Sequence, residues 1–256
     1  MPSLQNKVAI ITGAGTGIGQ AIAIRLASEG ATIVVDYRSH PEQAADTQAQ
    51  CIAAGGKAIT IQADVSILAD TQRLIDETYN QLGRADILVN NAGIEIESPF
   101  WQVTEKDYDA VLNINLKGAF FLTQAFVKRL IDARQPGRVI NISSVHEDMV
   151  FPHFSTYCAS KGAIRMLMRD LAVELGPYNI TVNNIAPGAI STPINKNLLA
   201  DKPELNALVA NIPLGRLGTP EEVAGVALFL ATDAGAYCTG STYIIDGGLI
   251  RNYHEQ

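Results

Sequence analysis

Tyr157 and Lys161 stand four residues apart in Tyr157-Cys158-Ala159-Ser160-Lys161, with the pair Ser143-Ser144 upstream. At that spacing a phenol and an ammonium lie one helical turn apart on the same face. A free tyrosine titrates near pH ~10 and is a poor base at neutral pH. A neighbouring ammonium favours the phenolate and lowers that pKa. Such a pair moves a proton on and off a substrate oxygen. The alternative for the same spacing is a surface lysine beside a half-buried tyrosine, so the surrounding chain must decide. Cys158 is adjacent, but a helical neighbour points about 100° away and no partner base accompanies it, so it reads as packing. His40, His146, His153 and His254 have no metal-ligand spacing with Cys, Asp or Glu, and no catalytic metal is expected.

The elements that must hold these groups alternate between apolar strand-like runs and longer helical patterns. Strands are expected over 8–12, 32–35, 58–61, 87–89, 138–142, 181–185 and 242–245. Helices are expected over 18–28, 42–54, 68–82, 108–133, from Tyr157 to about 174, and over 220–231. Continuous apolar strands between helices indicate a parallel sheet covered on both faces. Right-handed crossovers make it doubly wound. The expectation is an α/β fold, one domain over residues 1–256 with about seven strands. A long excursion at about 188–213 follows a strand, near the strand ends where ligands bind in such folds. It reads as a lid over a substrate, or as a helical excursion that only covers core.

Thr12-Gly13-Ala14-Gly15-Thr16-Gly17-Ile18-Gly19 lies between the first strand and the first helix, the context of a dinucleotide fingerprint. Gly13 permits the turn, Gly17 lets the backbone approach a pyrophosphate, and Gly19 lets the helix pack against the sheet. The helix N-terminus presents free amides and a positive dipole end to the phosphates. The second strand ends in Val35-Asp36-Tyr37-Arg38-Ser39. An acid there favours NAD through the ribose hydroxyl, and a base favours NADP through the 2′-phosphate. Alternation puts Asp36 and Arg38 on one side and Tyr37 on the other. Both cofactors are therefore expected, with Arg38 favouring NADP. Asp64-Val65 is an adenine-site candidate, although Asp is also a common helix cap. Asn90-Asn91-Ala92-Gly93 follows the fourth strand at the same sheet edge.

The chain has 256 residues, 47% hydrophobic and 18% charged, with formal charge −7 and no basic stripe, which argues against a nucleic-acid partner. No uninterrupted apolar run approaches the ~18 residues of a membrane span. The first seven residues are short and polar, unlike a signal peptide. Cys51, Cys158 and Cys238 form an odd, sparse set, as expected of reduced thiols in the cytoplasm.

These motifs, in this order and over the whole chain, resemble the short-chain dehydrogenase/reductase family. Gly13, Gly17 and Gly19 match its TGxxxGxG pattern, Asn90 to Gly93 its NNAG, and Tyr157 with Lys161 its YxxxK. Asn115 and Ser144 match its asparagine and serine, and Pro187-Gly188 its PG after the sixth strand. The resemblance implies a Rossmann-like fold and hydride transfer between a substrate carbon and a nicotinamide. In that scheme Tyr157 is the general base, Lys161 stabilises the phenolate, and Ser144 holds the substrate oxygen. Asn115 holds a water that relays the proton; its alternative is an ordinary helix-capping or helix-breaking asparagine. The cofactor would be held by Gly13, Thr16, Gly17, Ile18 and Gly19, then Tyr37, Arg38 and Ser39, then Asp64, Val65, Asn91, Ala92 and Gly93. Tyr157, Lys161, Pro187, Gly188, Ile190 and Thr192 complete that set.

Within the family the chain looks most like the bacterial glucose 1-dehydrogenases, on the segments Ile142 to Glu147 and Thr192-Pro193-Ile194-Asn195, with Glu95. That implies a sugar substrate, oxidised at its anomeric hydroxyl and bound by Glu95, His146 and Asn195 beside Ser144 and Tyr157. Each has a plainer alternative: a solvated loop acid, a satisfied histidine, a helix cap. Trp101 and Phe151 are candidate apolar walls, with core or interface packing as the alternative. Asp36 departs from the glucose enzymes, which carry an uncharged residue there, and residues 250–256 carry no reading. The resemblance also implies a homotetramer built through the long helices and the C-terminal region. Rival expectations are a 3-oxoacyl thioester reductase, a gluconate-type dehydrogenase, and a cofactor-sensing protein without turnover.

Overall fold

Runs of β-branched and aliphatic residues form seven short strands, and the computed structural model, which describes residues 3–193 and 201–252, joins them into one sheet. The strands are β1 (Val8–Ile11), β2 (Thr32–Tyr37), β3 (Lys57–Gln62), β4 (Ile87–Asn90), β5 (Gly137–Ile142), β6 (Ile180–Pro187) and β7 (Thr242–Ile245). They pair in the order β3-β2-β1-β4-β5-β6-β7, each pair parallel. The reversal between β1 and β4 opens the crevice typical of a doubly wound sheet.

Helices cover both faces. Alternate strand residues sort between two cores: Ala9 and Ile11 of β1 join one, Val8 and Ile10 the other. The first core is closed by α1 (Gly17–Ser28), α2 (Pro41–Ala53) and α8 (Pro220–Ala231). The second is closed by α3 (Leu68–Leu82), α5 (Ala119–Ala133) and α6 (Ser155–Leu175). Between them in sequence lie α4 (Glu105–Leu112) and, after β6, α7 (Lys202–Ala210).

The helix expected over 108–133 is instead α4, a wide π turn at Asn113–Gly118, and α5. A Cβ on Gly118 would come within 2.7 Å of the Val65 carbonyl oxygen, so the turn packs against the loop after β3 at a distance only glycine allows. Residues 105–133 also form a stretch long and apolar enough, by length and composition, to cross a membrane. Half of its most apolar window is buried inside the protein, where Leu122, Phe126 and Leu130 fill the second core.

A polar row crosses the sheet. Asn90, Asn141, Asn184 and Thr242 are register partners on β4, β5, β6 and β7. The Asn90 amide donates to Asn141 Oδ1 and to Thr123 Oγ1, each at 2.9 Å. The Asn141 amide donates to Asn184 Oδ1 at 2.9 Å. Buried amides are tolerable when bonded in this way, although Asn90 Oδ1 has no partner among the described residues, and the row ties the central strands in one register.

Candidate active site

The loops leaving the C-terminal ends of the strands enclose a cleft of about 730 Å³. One part is lined by the glycine turn, Asp36, Arg38, Ser39, Asp64 and Val65; the other by Glu95, Ser144, His146, Tyr157 and the start of the excursion. Asn91, Ala92, Gly93, Lys161, Pro187, Gly188, Ile190 and Thr192 also line it.

The glycine turn is shaped from below. Asn91 Nδ2 donates to the carbonyls of Thr12 (2.8 Å) and Gly13 (3.1 Å), while Thr12 Oγ1 accepts from Asn91 N and Ala92 N. A Cβ on Gly19 would lie 2.5 Å from that Nδ2 and 2.7 Å from the Gly13 oxygen. The close approach Gly19 permits is therefore to the turn and Asn91, rather than to the sheet, and Gly19 itself is not on the cleft wall. Thr16, at the N-cap of α1, makes no side-chain cap bond, so the first amides of the helix are left to a ligand. Together with Gly17 in the left-handed region (φ 60°) beside the Thr192 side chain, this cradle fits a pyrophosphate.

Strand alternation decides the end of β2. Asp36 and Arg38 face the cleft, whereas Tyr37, expected at the cofactor, turns to the other side and packs on the first core. Asp36 is buried; its Oδ2 accepts from Gly13 N at 3.2 Å and its Oδ1 has no partner. Burial pushes its carboxyl up to about 8, against the Gly13 amide bond and with Asp64 and Asp70 adding to the rise. Asp64 lines the cleft and also closes its own turn, accepting from Ser66 N and Oγ.

Ser144, buried at the end of β5, caps a short turn at Val145–Glu147 and accepts from His146 N at 3.2 Å. Its hydroxyl hydrogen-bonds the phenol of Tyr157. Burial nevertheless pushes that phenol up to about 12, Ser144 opposing and the Glu95 charge adding. Lys161 is buried, 5.5 Å from the centre of the Tyr157 ring, and donates to the Ile142 carbonyl at 2.9 Å. Burial lowers its ammonium to about 8, against the charges of Glu147 and Glu95. The lysine is thus held beside the phenol, while burial and the Glu95 charge favour the phenol's protonated form.

Asn115 sits in the π turn, 3% exposed. Its Oδ1 accepts from Ile94 N at 2.9 Å, and its Nδ2 donates to Ile94 O (2.9 Å) and Ser160 Oγ (3.1 Å). It caps no helix, and its amide is engaged with protein rather than standing on the cleft wall. What it does visibly is fasten the loop that carries Glu95 to α6.

Glu95 lines the cleft, its carboxyl raised by burial with Lys161 opposing. His146 stacks on Phe151 (4.4 Å, 7°), which stacks on Phe154 (4.0 Å, 5°). Its Nδ1 faces the Met149 carbonyl at 3.2 Å. That partner only accepts, which assigns the proton to Nδ1 and leaves Nε2 an acceptor. Burial lowers its pKa, favouring that neutral form. Phe151 reaches the cleft, while Trp101 is 80% exposed and away from it. Asn195 lies outside the described residues. From the excursion come Thr192 and Pro193, and from α7 and its end Glu204, Ala207, Leu208 and Asn211. The last four were not anticipated; their only sequence signal is position, on the excursion after the sixth strand.

Residues 13–250 match the family model described as enoyl-(acyl carrier protein) reductase. The chain is 42% identical over 246 residues to 3beta-hydroxysteroid dehydrogenase 1 of Eggerthella lenta, covering 96% of this chain and 94% of the relative. It is 41% identical over 251 residues to a 3-oxoacyl-[acyl-carrier-protein] reductase of Synechocystis, covering 98% and 99%. A gluconate 5-dehydrogenase from Burkholderia cenocepacia, solved with NADP and tartrate, superposes with a TM-score of 0.92 at 36% identity, covering 98% and 97%. The substrates in these names differ widely, so likeness alone does not choose one.

Proposed function

The chain belongs to the short-chain dehydrogenase/reductase family, NAD(P)-dependent oxidoreductases, and from that premise we propose that it oxidises the anomeric hydroxyl of a neutral aldose, D-glucose to D-glucono-1,5-lactone. The observation that carries this reading is the set of hydrogen-bond acceptors that share the cleft with Ser144 and Tyr157. Glu95 and the neutral His146 offer acceptors to sugar hydroxyls, and Glu204 lines the same cleft. Among the described residues on the cleft, the only cations are Lys161 and Arg38, the latter at the glycine-turn end. Among the described residues, nothing beyond Lys161 is placed at this end of the cleft to neutralise a sugar acid or the carrier phosphate of a thioester. A wall built to bond hydroxyls rejects analogues that lack them.

In this mechanism Ser144 holds the substrate oxygen, and Tyr157 takes its proton as phenolate. Lys161, over the face of the ring, stabilises the phenolate. Asn115 keeps the Ile94–Glu95 segment, and so the acceptor on Glu95, in place. A nicotinamide bound in the cleft supplies the hydride chemistry. Because burial holds the free phenol near 12, positive charge brought beside it favours the phenolate. Asn195 remains a proposed hydroxyl partner. The excursion with α7 acts as the lid.

A panel of β-D-glucose, gluconate, a 3β-hydroxysteroid and an acetoacetyl thioester, followed by nicotinamide absorbance, tests the reading. Turnover of gluconate without glucose refutes it. Tight cofactor binding with no turnover on any of them supports a sensing protein instead. The second reading, an apolar secondary alcohol, rests on the stacked His146, Phe151 and Phe154 with Met149 and Leu208 nearby. It predicts steroid turnover in place of glucose.

Both cofactors are proposed to bind. Asp36 is buried beneath the turn and holds its proton to near pH 8, which reduces its repulsion of a 2′-phosphate. Arg38 is exposed on the same wall. Arg38→Ala is expected to weaken NADP about 10-fold or more and NAD little, the loss of one charge-assisted bond. Equal losses by calorimetry remove Arg38 from phosphate reading. We also infer a homotetramer, supported by the apolar surface of α5, α6 and β7, where Phe120, Met166, Val173 and Ile244 are exposed.

A further inference from the structure

Glu147 carries a carboxylate that neither the family motifs nor the mechanism above uses. Its side chain is 2% exposed. Oε1 accepts from Thr242 Oγ1 on β7 at 2.6 Å, and Oε2 accepts from Asn184 Nδ2 on β6 at 3.2 Å. Arg165 Nε, on α6, lies 3.8 Å from Oε1 and shares its charge with Asp148, with which it also pairs. Glu147 therefore terminates the row Asn90–Asn141–Asn184 and ties it to the turn that starts at Ser144, since Glu147 N donates to the Ser144 carbonyl at 3.0 Å. A buried carboxylate is retained only where bonds and countercharge hold it. Here three neutral or cationic partners converge on it from three different elements.

Resting on the reading that Tyr157 and Lys161 carry the reaction, we propose that Glu147 is a positioning residue: it anchors the Ser144 turn to β6 and β7, and it supplies the buried negative charge that offsets the Lys161 ammonium. Among the described residues Lys161 has no carboxylate partner of its own; its hydrogen bond there goes to the Ile142 carbonyl. The charged and titratable groups that face it are Glu95 from the loop after β4, Glu147 from the turn after β5, and Tyr157 from its own helix. Burial works against the ammonium, and the two glutamates work for it. Glu95 opens on the cleft, where a substrate covers it; Glu147 is not on the cleft wall and is closed in by its own partners.

Glu147→Gln removes the charge and keeps the shape. In cofactor-free protein carrying isotope-labelled lysine, the Lys161 titration seen by NMR is expected to move down by about one pH unit, the effect of one charge at intermediate dielectric. In turnover, the alkaline limb of the kcat/KM profile moves down by the same amount, with cofactor Kd within about 2-fold of wild type. Glu147→Asp keeps the charge and shortens the reach: the limb stays and kcat falls about 10-fold, on the scale by which small misplacements cost rate. An unmoved Lys161 titration in Glu147→Gln overturns the charge role, and this readout is independent of whether Tyr157 is the base. Wild-type kcat in Glu147→Asp overturns the anchoring role. If either carboxylate variant fails to fold, Thr242→Val at the sheet edge removes the 2.6 Å bond alone; it must lower kcat without moving the limb, and an unchanged kcat overturns the anchor.

Discussion

Tyr157→Phe is expected to remove turnover, by about 10³-fold or more, while cofactor affinity stays within about 2-fold; general acid–base groups contribute on that scale. The change deletes one oxygen. The ring remains in its T-shaped contact with His146 and over the Lys161 ammonium, so the packing of α6 is preserved. What disappears is the acceptor for the substrate proton and the partner of the Ser144 hydroxyl. In the wild type, oxidation should quicken with pH up to the alkaline limb set by Lys161, because the buried phenol must lose its proton and is held near 12 until positive charge arrives. In the variant that rise vanishes. Initial rates across pH, with calorimetric cofactor titration on the same preparation, check both halves. A variant that keeps more than a tenth of the wild-type kcat removes Tyr157 from the role of base.

Gly19→Ala is the second large effect, and here binding fails before chemistry. Its new methyl would stand 2.5 Å from Asn91 Nδ2, 2.7 Å from the Gly13 oxygen and 3.0 Å from Ala14 Cα. Two of these are backbone atoms, and Asn91 is held by two carbonyls, so no flexible tip can yield. The turn must move, and with it the amides offered to the pyrophosphate. Overpacking of this kind costs about 1–3 kcal/mol. Cofactor affinity is expected to fall about 100-fold, the shift of a few tenths of an ångström or more being taken by the site itself. Gly162→Ala on α6 is the control: nothing lies within 4 Å of its Cβ, and alanine in a helix interior gains up to ~1 kcal/mol. Unfolding temperature and Kd measured together separate the cases. Unaltered cofactor binding in Gly19→Ala would show that the turn does not carry the pyrophosphate.

Much of the frame was legible because the central strands are buried on both faces and so read as largely apolar runs; 68–82, 220–231 and 242–245 are found at the expected bounds. The alternation that separates Asp36 and Arg38 from Tyr37 was legible for the same reason. The π turn was not, because the apolar period continues through 105–133 and nothing local announces a wider turn. Its cause is tertiary, the seat of Gly118 on Val65 and the bonds from Asn115 to Ile94. The amide row was equally hidden. Asn90, Asn141 and Asn184 stand far apart in sequence, and only strand register makes them neighbours. Glu147 appeared as part of a segment resembling sugar enzymes, without any hint that it points inward at β7.

That row has a consequence for how the chain tolerates change. Asn90, Asn141 and Asn184 sit just upstream of the strand ends and loops that bear Asn91, Ser143–Ser144 and Pro187–Gly188. A residue inserted upstream of the row, anywhere in β4, β5 or β6, would slide one reacting group by about 3.3 Å past the others and turn its strand inside out. A residue inserted in the excursion well beyond the row leaves all of them in place. Length is therefore frozen on one side of a single line of amides and free on the other, which is where a lineage could alter its choice of substrate without rebuilding its chemistry.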